Sequence, residues 1–101
     1  MSLAVETKIN DLVLQVANEA RRCFGLDIDV YWFGSWVNGS ANKRSDIDIA
    51  LNISTAITPV QFMSFVDWVE QLPTLYKFDI INMSDISDEF REKIIKTGQK
   101  I

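Results

Sequence analysis

Apolar residues return every three or four positions at Val5, Ile9, Leu12, Val13, Val16, Ala20 and Cys23, a spacing that predicts an amphipathic helix ending at Phe24. Gly25 is placed to close it. From Ile28 to Phe33 the chain is rich in β-branched and aromatic residues, which predicts a first strand running into Gly34. Between Ser35 and Ser45 the concentration of Asn38, Gly39, Ser40 and Asn42 predicts a loop. Strict alternation then resumes. Ile47, Ile49, Leu51 and Ile53 interleave with Asp46, Asp48, Ala50 and Asn52, predicting a strand with one apolar and one polar face.

Thr58-Pro59-Val60-Gln61 combines an N-cap hydroxyl, a proline at the first helical position and a Gln three residues after the cap. A second long helix is expected there, with Phe62, Phe65, Val66, Val69 and Leu72 on its core side and Pro73 as its stop. Lys77 to Met83 predicts a third strand, and Ser87-Asp88-Glu89 opens a last helix that Gly98 closes. The loop of modest length between the first two strands predicts an antiparallel pair, whereas the helix before the third permits a parallel crossover. The expectation is one α+β domain over residues 1–101, in the order α-β-loop-β-α-β-α, with helices packed on a small mixed sheet.

Composition narrows what such a domain does. With 48% hydrophobic residues in 101 positions there is enough apolar surface for one core. Fourteen acidic against 10 basic residues, for a net charge of −4, argue against general nucleic-acid binding. The absence of histidine excludes His-based zinc sites and Ser-His or Cys-His catalysis, leaving carboxylates to carry the chemistry. Cys23 is alone, and its place in the apolar stripe predicts a buried small hydrophobe. With no signal peptide and no apolar run of membrane-spanning length, the expected compartment is the cytoplasm and no membrane partner is expected.

Side chains alternate across a strand, so Asp46 and Asp48 project from one face while Ile47 and Ile49 turn to the core. Paired carboxylates repel unless a hard cation lies between them, and Mg²⁺ takes oxygen ligands. If the second and third strands are parallel neighbours, Asp79 joins the pair. Two metal ions, roughly 3.5–4 Å apart, would offset the repulsion between three carboxylates and a triphosphate. Gly34 and Ser35, at the end of the first strand and expected beside Asp46, suit close approach of phosphate oxygens, and Gly39 is a second flexible point in the loop.

These residues form G-S-x-x-x-G-x-x-x-x-x-S-D-x-D from Gly34 to Asp48, which resembles the signature of the nucleotidyltransferase superfamily that includes DNA polymerase β. The resemblance is closest to its smallest members, the minimal nucleotidyltransferases, and extends over nearly the whole chain. It implies a nucleotidyltransferase fold. It further implies that Gly34, Ser35, Gly39 and Ser45 serve the nucleotide, that Asp46 and Asp48 bind two Mg²⁺ ions, and that Asp79 completes the catalytic metal site and helps activate the attacking hydroxyl. ATP would be the substrate, AMP the group transferred and pyrophosphate the leaving group. Minimal members commonly act as antitoxins that adenylylate a HEPN-domain toxin, so a protein partner of that kind is implied. Many carry Arg before the second glycine, where this chain has Asn38. That lost charge keeps a binding-only antitoxin in play beside the enzyme. Transfer to a small molecule is a third alternative.

Other residues have plainer readings. Asp27 and Asp29 form a second Asp-x-Asp, but no glycine loop precedes them, and they read as structural. Lys43 and Arg44 either reach the triphosphate or balance nearby aspartates. Trp32 and Trp68 read as core, whereas Trp36 could stack on a base, pack against the sheet or anchor a partner. Ser35 has no His or Lys base beside it and is not read as a covalent nucleophile; Asp85 and Asp88 suit a helix N-terminus.

Overall fold

The computed structural model describes residues 3–39 and 46–101. The elements are α1 (Leu3–Phe24), β1 (Asp29–Phe33), α2 (Ser35–Asn38), β2 (Ile47–Asn52), α3 (Pro59–Glu70), β3 (Phe78–Asn82), α4 (Asp88–Thr97) and β4 (Gln99–Lys100), with a 3-10 turn at Met83–Asp85 before α4. The strands form one sheet in the order β3-β2-β1-β4. β1 pairs antiparallel with β2 and with β4, and β2 pairs parallel with β3. The expected α+β architecture with a mixed sheet is therefore present, enlarged by β4. Two residues carry too little pattern to announce a strand. β4 is held by Ile101 N–H donating to Val30 O at 2.9 Å and by the Arg21 guanidinium donating to the Ile101 carbonyl.

The two sheet faces are covered differently. Val30, Trp32, Ile47, Ile49 and Leu51 pack against Ile9, Val13, Val16, Ala17 and Ala20 of α1 and Phe65 and Val69 of α3. On the other face Tyr31 and Ala50 meet Met83 and Ile94. That second cluster corrects the expectation of a polar face on β2. Ala50 is fully buried there because α4 crosses the sheet above it, so the face is closed at its middle while Asp46 and Asn52 at its two ends stay exposed and Asp48 is half-buried.

Local signals explain the boundaries. Gly25 at φ +120 ends α1, its N–H donating to Arg21 O at 2.9 Å. Thr58 and Gln61 form the expected reciprocal capping box, with donor–acceptor distances of 3.1 and 2.8 Å. Ser87 caps α4 by accepting from Phe90 N–H at 3.2 Å. α3 ends at Glu70, before Pro73 is reached.

Two core assignments are corrected. Cys23 is exposed, its thiol 3.6 Å from Glu19 Oε2. The buried stripe of α1 centres on Val13, Ala17, Ala20 and Phe24, and at about 100° per residue Cys23 falls at its edge. Trp32 is buried, but Trp68 is 36% exposed and lies on the rim, stacked on Phe65 with ring centroids 6.4 Å apart.

Candidate carboxylate site

The site forms where β1 ends and β2 and β3 begin. In the parallel ladder Asp48 stands directly opposite Asp79, and in the antiparallel ladder it stands opposite Phe33. Asp46, two residues before Asp48, leads into β2 and is exposed, as is Asp79; Asp48 is half-buried. Strand alternation puts all three on the face that α4 covers farther along. The structure thus brings Asp46, Asp48 and Asp79 to one end of one face. Gly34 follows Phe33 directly and lies against Asp48, not Asp46 as expected, because the register pairs Phe33 with Asp48.

Charge at this end is concentrated. Burial first, then the charge of Asp79, then that of Asp46, push the Asp48 carboxyl up to about 6 from an ordinary 3.8. Among the described residues, no three His, Cys, Asp or Glu side chains are gathered into a ready-made ion cage. Three carboxylates on adjacent strands, one kept half out of water and destabilised as an anion by the others, provide the all-oxygen donor set that suits a hard divalent cation.

The segment after Gly34 is not the irregular loop expected from its composition. Ser35–Asn38 forms a single helical turn, entered at Gly34 with φ +86 and followed by Gly39 with φ +83. Val37 N–H donates to Gly34 O at 3.1 Å. Ser35 opens this turn beside Gly34, and Gly39 is exposed just past it. Ser45, Lys43 and Arg44 lie outside the described residues. Of the three readings of Trp36, packing agrees with the structure: it is half-buried against the main core, edge-to-face with Tyr76 at 5.9 Å. Tyr76 carried no signal in the sequence, because the contact joins residues 40 positions apart.

Other acidic residues have structural engagements. Asp29 pairs with Lys100 at 3.2 Å, Asp27 accepts from Ser54 Oγ at 3.2 Å, and Asp88 pairs with Arg91 at 3.3 Å. A groove of about 900 Å³ lies between α1 and the segment after α3, bordered by Leu12, Leu72 and Tyr76. It is on the α1 side of the sheet, away from the carboxylates. Among the described residues no helix is long and apolar enough to cross a membrane.

Comparison with known proteins bears on the fold and the family. The family model "Polymerase beta, Nucleotidyltransferase" matches residues 27–101. A structure described as a minimal nucleotidyltransferase superimposes with a TM-score of 0.77 at 18% identity, over 94% of each chain. A toxin–antitoxin crystal structure with AMP-PNP gives 0.67 at 17% identity, over 85% of this chain and 69% of the other. A toxin–antitoxin MntA-HpeT mutant gives 0.62 at 17% identity, over 94% and 70%. No curated protein matches significantly by sequence.

Proposed function

This chain belongs to the polymerase beta nucleotidyltransferase family, and from that premise we propose that it is a Mg²⁺-dependent enzyme moving AMP from ATP to a hydroxyl of a protein partner. The partner in this reading is a HEPN-type toxin, with this chain as its antitoxin. The observation that carries the chemistry is the parallel register of Asp48 and Asp79, with Asp46 two residues upstream on the same face and Gly34 alongside. The likeness of the fold to toxin–antitoxin structures, one of them with AMP-PNP, supports a nucleotide substrate and a protein acceptor.

In this reading Asp46 and Asp48 would hold two Mg²⁺ ions, and Asp79 would complete the catalytic metal site. Bound there, the ions would neutralise the triphosphate and stabilise charge developing at the α-phosphorus. Gly34, Ser35, Gly39 and Ser45 would serve the nucleotide, the backbone at Gly34 and the Ser35 hydroxyl as donors to phosphate oxygens. Asp79, exposed on the neighbouring strand, accepts the proton as the acceptor oxygen bonds to the α-phosphorus and the bond to pyrophosphate breaks. Positioning and charge compensation are most of what phosphoryl-type transfer asks of a protein.

Incubation with α-labelled ATP, Mg²⁺ and the protein encoded by the adjacent gene should label that protein, and Asp46→Ala should abolish the label. An unlabelled neighbour, or equal labelling by Asp46→Ala, overturns the reading. Asn38, in place of a cation common at that position, favours a second reading: a binding-only antitoxin that neutralises by occlusion. Asp48→Ala separates the two. Neutralisation in cells is lost with that variant if catalysis is the mechanism and kept if occlusion is.

A further inference from the structure

We infer that Gly34 is a positioning residue for Asp48: the missing side chain at Gly34 is the seat in which the Asp48 carboxylate rests. This rests on the reading of Asp48 as a metal ligand and adds a role for Gly34 beyond phosphate contact.

A methyl group at Gly34 would overlap Asp48 Oδ2 and lie 3.0 Å from its Cγ and 3.3 Å from its Cβ. All three nearest atoms belong to this one side chain, and its short stem is fixed to a central strand. Asp48 cannot retreat along the ladder, where Phe33 and Asp79 stand in register on either side. Any side chain at Gly34 would therefore displace the carboxylate from this seat, away from the β1 side of the strand. The end of β1 thus fixes the direction of a carboxylate on β2, and the loop that grips phosphate and the strand that holds metal share one packing contact.

Gly34 also has φ +86, a conformation that by itself favours glycine. Gly39 separates the two causes. Its φ is +83, nearly the same, yet among the described residues nothing lies within 4 Å of where its Cβ would be. Alanine at Gly39 carries the backbone strain without the clash.

The experiment measures Mn²⁺ affinity by counting free ion with electron paramagnetic resonance, and metal-free thermal unfolding, for wild type, Gly34→Ala and Gly39→Ala. Without nucleotide, Gly34→Ala is expected to weaken Mn²⁺ binding by at least about tenfold, the scale on which lost support of a ligand acts, and by far more than Gly39→Ala, whose Cβ meets no metal-ligating side chain among the described residues. Equal affinities in the two variants overturn the inference. In the metal-free arm, Asp48→Ala introduced into Gly34→Ala should bring Tm back toward that of Asp48→Ala alone. The same Tm loss with and without Asp48 overturns it. Should Gly34→Ala fail to fold, the double variant must fold for the inference to stand. If wild type binds no Mn²⁺, the metal-dependent reading of the enzyme fails, whereas the metal-free pairing still decides whether Gly34 seats Asp48.

Discussion

Asp48 and Asp79 face each other across the parallel β2–β3 ladder, at an end of the sheet face that α4 does not cover. Two carboxylates in register on neighbouring strands cost stability when bare and become an asset when a cation is shared. The predictions below test that balance and the scaffold that imposes it.

The first concerns pH without metal. The Asp48 carboxyl is raised to about 6 in the fold, above its unfolded value, so between about pH 4 and pH 6 the native state binds more protons than the unfolded one. The Asp48 contribution to stability is therefore most favourable below that window and is lost as pH rises through 6. Asp48→Asn removes the dependence and should be more stable than wild type at pH 8, by about 1 kcal/mol once solvent screening of a half-exposed group is allowed for. The difference should vanish below pH 4. Urea titrations at pH 4 and pH 8 check this.

Divalent cation should reverse the penalty. At 100 times its Kd, Mg²⁺ stabilises a native state that alone binds it by about 2.7 kcal/mol. Calorimetry at pH 8 should show a Tm rise of several degrees for wild type, undone by EDTA. Asp79→Asn should lose most of that rise, because it removes the carboxylate opposite Asp48.

Ala50 lies fully buried on the same face, under Met83 and Ile94. Ala50→Leu should destabilise by about 1–3 kcal/mol through overpacking. Because α4 lies above it, the loss should appear first as faster amide exchange in α4, measured by NMR.

The capping box of α3 lies on the other layer. Thr58→Ala should cost about 1 kcal/mol by leaving the Gln61 N–H without its acceptor. Its Mg²⁺-induced Tm shift should equal that of wild type, since α3 packs on the face opposite the carboxylates.

Features written into neighbouring residues could be read without the fold. The α1 helix, the apolar face of β2, the Thr58 cap and the Ser87 cap are each set by side chains within a few positions of one another, and these appear where the pattern places them. The presence of Asp46, Asp48 and Asp79 on strand ends was legible in the same way, because alternation and a parallel crossover are short-range rules.

Contacts between distant positions were not legible. That Gly34 abuts Asp48 depends on the β1–β2 register, and a slip of one residue would have moved it elsewhere. β4 exists because the chain after α4 returns to the free edge of β1, and Trp36 is half-buried because Tyr76 comes to meet it. Cys23 and Trp68 were misplaced for a related reason: periodicity marks a stripe, but its width is set by how closely neighbouring elements cover it. Local chemistry chose the elements and supplied three carboxylates; the register between strands decided which of them meet, and against which glycine.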